Sequence, residues 1–102
     1  MLIEYSPVPN DFIFDQAYPN PFNPTTTVQY GLPIDGKLTL AVYDLQGRKV
    51  NNLATGFVIK GFYEAVWDGT HNASGIYFIR LDIYDLENNE QFSKIQKIIL
   101  VK

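Results

Sequence analysis

The chain has one histidine, His71, with Asp68 three residues before it and Ser74 three residues after it. An acid, an imidazole and a hydroxyl are the parts of a hydrolytic triad, but triad members converge from separate elements, with the nucleophile on a rigid, strained turn. Here all three fall in one short polar loop, which makes His71 a solvated loop residue and leaves the chain without a catalytic constellation. The same loop contains Asn72-Ala73-Ser74, which matches a glycosylation sequon and equally reads as a polar turn. Its one aspartate, Asp68, supplies too few oxygen ligands for a calcium loop, and Asp15 and Asp44 are scattered elsewhere. Gly47, Gly56, Gly61, Gly69 and Gly75 each fall at a predicted turn and none opens a helix, so they do not form a phosphate loop. With no cysteine there are neither disulfides nor thiolate metal sites. The reading is a protein that is not an enzyme and takes no metal or cofactor.

Two binding chemistries remain open. Phe62, Trp67, Tyr84 and Phe92 would form a sugar platform if several faced solvent together, whereas core packing is the usual fate of aromatics in a sandwich. The segment Ile98-Ile99-Leu100-Val101 is a continuous apolar run where a half-exposed strand would alternate. Such a run implies burial on both faces or an edge awaiting a partner, with Lys94 and Lys97 placed before it as guards against aggregation.

The elements that must position these residues are strands. Residues 25–32 alternate with Val28, Tyr30 and Leu32 on one face; residues 37–44 alternate with Leu38, Leu40 and Val42 inward. A short strand is centred on Val50, residues 54–60 read as a connection, and residues 62–67 form a fifth strand. Residues 76–84 carry the strongest pattern, with Tyr77, Ile79, Leu81 and Ile83 inward, and residues 91–101 form the last strand. Three prolines between Pro19 and Pro24 forbid a helix or a central strand, and predict a rigid segment with Tyr18 and Phe22 tucked against the body. Six or seven short strands separated by Gly, Asn, Asp and Pro specify an all-β antiparallel sandwich, with short turns joining neighbouring strands. Residues 1–15 read as an arm or linker and residues 16–102 as the domain. Leu2, Ile3, Tyr5, Phe12, Ile13 and Phe14 are the arm residues suited to completing a neighbour's sheet, which would make the chain a self-assembling structural subunit of a filament or surface layer.

Composition agrees. The chain has 102 residues, enough for one modest core, and 46% are hydrophobic. The net charge of −3 and absence of a basic stripe argue against nucleic acid. No apolar run is long enough to span a membrane as a helix, and the first residues lack the basic and apolar regions of a signal peptide.

Taken in order, the motifs resemble a known family. Tyr18-Pro19-Asn20-Pro21-Phe22-Asn23-Pro24-Thr25-Thr26-Thr27 is followed by Tyr30-Gly31-Leu32-Pro33 and by Val42-Tyr43-Asp44-Leu45-Gln46-Gly47-Arg48-Lys49-Val50. Trp67-Asp68-Gly69, then residues 74–81, then the lysine-and-apolar tail at residues 97–102 complete the set. The chain is similar to the type A sorting domain at the C-terminus of type IX (Por) secretion cargo in Bacteroidetes and related phyla, and also resembles the immunoglobulin-like domain of flagellar hook-capping proteins. The resemblance implies an immunoglobulin-like sandwich of about seven strands, export across the outer membrane to the cell surface or beyond, and a cargo protein joined upstream. The partners it implies are the outer-membrane secretion machinery and a surface sortase. The positions it carries over as recognition elements are Gly47, Arg48, Lys94, Lys97, Ile98, Ile99, Leu100, Val101 and Lys102.

Overall fold

The computed structural model describes residues 8–102, so Leu2, Ile3 and Tyr5 of the arm lie outside the described residues. Seven strands follow in chain order: β1 (Ile13–Phe14), β2 (Thr25–Leu32), β3 (Gly36–Asp44), β4 (Lys49–Val58), β5 (Gly61–Asp68), β6 (Gly75–Tyr84) and β7 (Glu90–Leu100). They form two antiparallel sheets, ordered β1-β2-β5 and β4-β3-β6-β7. The chain is an all-β sandwich, as the alternation requires.

The inward rows are those that period-two patterning selects. Val28, Tyr30 and Leu32 from β2 meet Leu38, Leu40 and Val42 from β3, with Tyr77, Ile79, Leu81 and Ile83 from β6 completing the core. Trp67 is buried between Phe22, at 5.6 Å between ring centroids, and Tyr77, at 5.0 Å. The Tyr77 hydroxyl donates to the carbonyl of Ala73 at 2.7 Å, so its polar end is satisfied while its ring stays in the core.

Three expectations need correction. Short turns do not all join hydrogen-bonded neighbours. Only β3–β4 and β6–β7 are hairpins, while the corners at residues 33–35 and 59–60 carry the chain from one sheet to the other. Asp35 stitches these two corners together, its carboxylate accepting the Lys60 amide at 2.9 Å. The connection expected from residue 54 is instead the outer half of β4, which pairs with β3 as far as Val58. Its register shifts beside Leu40, and Gly56 sits at φ 112°, an irregularity that disguises the strand in the sequence. Tyr18 is not tucked in: its backbone bridges Thr27, but its side chain is 81% exposed. Phe22, by contrast, is 2% exposed, as expected.

The proline-rich segment closes an edge. Phe22 donates its amide to Ile99 O and accepts the Val101 amide, each at 2.9 Å, while the Asn20 side chain bonds Lys97 O at 3.0 Å and the Ile99 amide at 2.9 Å. The outer rim of β7 over residues 97–101 is therefore paired within the chain, which explains the apolar run: Ile98 and Leu100 fill the core, and Ile99 lies half-buried opposite Ile76. Upstream, Ile13 and Phe14 pair with Gly31 and Tyr30, and Phe12 stacks on Phe92 at 5.4 Å. Gln96, buried, receives the Ala17 amide at 2.7 Å and donates to Asp15 O at 2.8 Å.

Two stability predictions follow from this packing. A Cβ on Gly36 would lie 2.5 Å from the Tyr84 carbonyl oxygen, a backbone atom that cannot swing away. Gly36→Ala is expected to lower unfolding free energy by about 2–3 kcal/mol, measured by urea titration; a change within error would show that β3 and β6 slide apart freely. Phe22→Ala removes the ring that fills the space beside Trp67 and is expected to cost about 3–5 kcal/mol in the same assay, with Trp67 fluorescence shifting red.

Candidate recognition face

The β3–β4 turn is built by one carboxylate. Asp44 accepts the amides of Gln46 at 3.0 Å and Arg48 at 2.9 Å through Oδ1, and its Oδ2 takes the Arg48 Nε at 2.9 Å. Gly47 stands at φ +86°, a left-handed conformation that glycine accepts without strain, and its amide donates to Asp44 O at 3.0 Å. The Arg48 amide holds the Asp44 carboxyl below its usual range, helped by the Arg48 side chain. This bonding leaves the apex residue Leu45 61% exposed.

Strand pairing brings the last strand to this turn. On the outer face of the four-stranded sheet Phe78 stands between Tyr43 and Lys97, and Arg80 between Ala41 and Ile95. Tyr43, Asp44, Leu45, Gly47, Phe78, Arg80 and Ile95 line a shallow groove of about 230 Å³. Arg80 is fixed by Asp82, its Nε 2.9 Å from Oδ2, and Asp82 in turn accepts the Ser93 hydroxyl at 2.5 Å. This hydrogen bond to Asp82 and its charge raise the Arg80 pKa further. The terminal amino groups of Arg80 have no partner among the described residues. The groove thus offers an apolar floor beside a pre-oriented guanidinium, suited to an aliphatic side chain next to a carboxylate.

The candidate recognition residues divide by position. Gly47 lines the groove, and Arg48 and Lys97 are exposed on its flanks. Lys94 is exposed with its ammonium 5.9 Å from the Phe92 ring centre. Ile98 and Leu100 are core residues and Ile99 sits under the rim pairing. Val101 is 48% exposed, and Lys102 is tied to the loop after β5, its amide bonding Ser74 Oγ at 3.1 Å and its ammonium Thr70 O at 2.5 Å. Sequence reasoning missed Tyr43, Leu45, Phe78, Arg80 and Ile95. The usable signals were an apolar residue at a turn apex and the outward half of the β6 alternation.

The residues of the sequence triad have other partners. Asp68 accepts the Thr70 hydroxyl and, at 2.9 Å, the Thr70 amide, while Ser74 Oγ accepts from Lys102. The aromatics considered as one sugar platform are dispersed: Trp67 is buried, Phe62 is exposed on the three-stranded sheet, and Tyr84 and Phe92 are half-buried on the other. Among the described residues, no three of His, Asp and Glu gather as a metal site.

What these features define is a small antiparallel sandwich with a shallow surface groove. A family model described as the secretion system C-terminal sorting domain matches residues 16–102, and the chain belongs to that family, the type IX secretion sorting domains. The family is a sorting signal and not a catalytic one; it acts with the type IX machinery and implies export to the cell surface or extracellular space. No curated protein matches the chain.

The turn also carries a pH signature. Asp44 and Asp85 organise matching turns, since Asp85 accepts the amides of Glu87 and Asn89, both at 2.9 Å, and the Asn89 amide is the main cause of its lowered pKa. A carboxyl depressed by folding stabilises above its ordinary value of 3.8, and that contribution is lost as pH falls through the lower folded value. Protection of the Gln46, Arg48, Glu87 and Asn89 amides against hydrogen exchange is expected to drop on acidification below pH 3.8. Asp44→Asn should abolish that pH dependence at Gln46 and Arg48 alone; unchanged dependence there would remove Asp44 as the cause.

Proposed function

We propose that residues 16–102 act as a non-catalytic sorting and anchoring module for a cargo protein joined ahead of it. The outer-membrane machinery reads the folded domain where the turn at residues 44–48 meets β7, and a surface sortase acts on the exported product. The observation that carries this reading is that Gly47, which the family resemblance marks for recognition, lines one groove with Ile95 of β7, the strand whose Lys94 and Lys97 the resemblance also marks. Lys97 and the outward terminal amino groups of Arg48 and Arg80, whose charges Asp44 and Asp82 partly balance, make the rim of that groove suited to an acidic partner surface. Lys94, Val101 and Lys102 extend the accessible part of the tail, whereas Ile98 and Leu100 serve by holding β7 in place. Phe12, Ile13 and Phe14 are seated on their own chain, which favours sorting over assembly by strand exchange.

A reporter fused ahead of the chain and produced in a type IX-competent bacterium tests this. The wild-type fusion is expected at the surface or in the medium. Leu45→Asp with Ile95→Asp, both at exposed positions, should cut export about tenfold, while Val66→Asp on the opposite face should leave it unchanged. Normal export of the double variant, with its fold checked by circular dichroism, would overturn the groove as the recognition surface.

A further inference from the structure

The two faces of the sandwich differ in charge and in how their polar groups are used. None of the residues of β1, β2 and β5 is lysine or arginine, whereas β3, β4, β6 and β7 carry Lys37, Lys49, Arg80, Lys94 and Lys97. On the four-stranded sheet the Asp82 carboxylate takes both Arg80 Nε and the Ser93 hydroxyl. On the three-stranded sheet the outward side chains of Asp15, Thr27, Gln29 and Glu64 have no hydrogen-bond partner among the described residues.

Those groups form successive rungs. Phe62 stands opposite Gly31, Glu64 opposite Gln29, and Tyr18 bridges Thr27; the Asp15 amide bonds Gln29 O at 2.9 Å, which places Asp15 beside Gln29. Two adjoining troughs of about 400 and 320 Å³ run along this face and share Asp15 and Gln29. Phe62 lines the first and Tyr18 the second, at 57% and 81% exposure. The rungs of Gly31 and Thr27 lie four residues apart along β2, about 13 Å, longer than one sugar ring.

We propose that this face binds a neutral oligosaccharide. A pyranose ring presents a C–H face that packs on an aromatic ring and a rim of hydroxyls that donate to carboxylates and amides. The trough supplies a ring toward each end, Phe62 and Tyr18, and unsatisfied acceptors between them in Asp15, Gln29 and Glu64. The two carboxylates, with no cation on these strands, repel an acidic glycan. The volume lies within the roughly 300–1,000 Å³ of small-molecule sites. The proposal does not rest on the sorting role; it uses the opposite face and different residues.

The test is a nuclear magnetic resonance titration of the full chain with cellohexaose, maltohexaose, mannohexaose and the acidic hexagalacturonate. At least one neutral hexasaccharide is expected to shift amides of β1, β2 and β5 with millimolar affinity, and hexagalacturonate to shift none of them. Phe62→Ala and Tyr18→Ala should each weaken that binding about tenfold, the loss of one ring contact, while Leu45→Ala leaves it intact. Both truncations are at exposed side chains, and thermal melts confirm that the variants fold. Absence of shifts with all three neutral probes, equal binding of hexagalacturonate, or binding indifferent to both truncations would overturn the proposal.

Discussion

The outer rim of β7 is the constraint on which the rest of the architecture depends. An edge strand ending in Ile98, Ile99, Leu100 and Val101 presents both unpaired amides and apolar side chains, the combination that pairs with other chains. Here the rim is closed by residues 20–22, through two backbone bonds of Phe22 and two from the Asn20 side chain. Proline is suited to this work because it holds an extended backbone without needing a strand partner for its own nitrogen. The closure also drives Phe22 inward against Trp67, so that edge protection and core packing are one arrangement. The Gln96 side chain adds a second tie, from the middle of β7 to the backbone of residues 15 and 17. The ends of the described chain thus meet on one flank, and the groove beside residues 44–48 lies on the sheet that this flank anchors.

Separation of the two faces follows from the same layout. The four-stranded sheet holds most of the cations and pairs part of them with carboxylates, which fixes Arg48 and Arg80 through Nε and leaves their terminal amino groups outward. The three-stranded sheet has no such pairs within its strands and keeps its acceptors solvated. The partner proposed for the groove would meet one face by charge and apolar contact, and the proposed oligosaccharide would meet the other by hydroxyls and ring stacking. Neither contact requires the core to move, because both use residues whose inward neighbours are already packed.

The inward rows were legible because alternation is a direct consequence of the pleat: Val28, Tyr30, Leu32, Ile79, Leu81 and Ile83 could occupy no other face once their neighbours were polar. Sheet membership was not legible. The turn between Leu32 and Gly36 is as short as a hairpin turn, yet it crosses between sheets, and nothing in its length records the difference. The outer half of β4 was hidden by Thr55 and Gly56, residues that read as a connection and are held as a strand by pairing with β3. The family motifs pointed to Gly47 and the tail, but not to Leu45 beside Ile95, because that proximity arises from the pairing of β3 with β6 and of β6 with β7. Tyr18 shows the opposite limit. A tyrosine next to prolines suggests a packed anchor, but the structure turns it outward, and Ala17 and Phe22 take the interior positions on either side of it.

The two aspartate-built turns separate local motif from function. Residues 44–48 and 85–89 share one scheme: an aspartate followed by leucine, two downstream amides donated to the carboxylate, and a left-handed residue, Gly47 or Asn88, in the fourth place. Both expose their leucine, Leu45 at 61% and Leu86 at 53%. The first adjoins a groove, because Phe78, Arg80 and Ile95 rise beside it from β6 and β7. At the other end of the sheet Lys37 is drawn to Asn88 at 3.0 Å, and the turn is bound to its own neighbours. A rigid turn costs little further ordering when a partner binds, so in the proposed recognition the turn at residues 44–48 would contribute pre-organisation and the strands beside it the choice of partner. The groove is accordingly a property of register: a shift of one residue between β6 and β7 would turn Ile95 and Lys97 inward and Ile98 and Leu100 outward, and the groove and the core would be lost together.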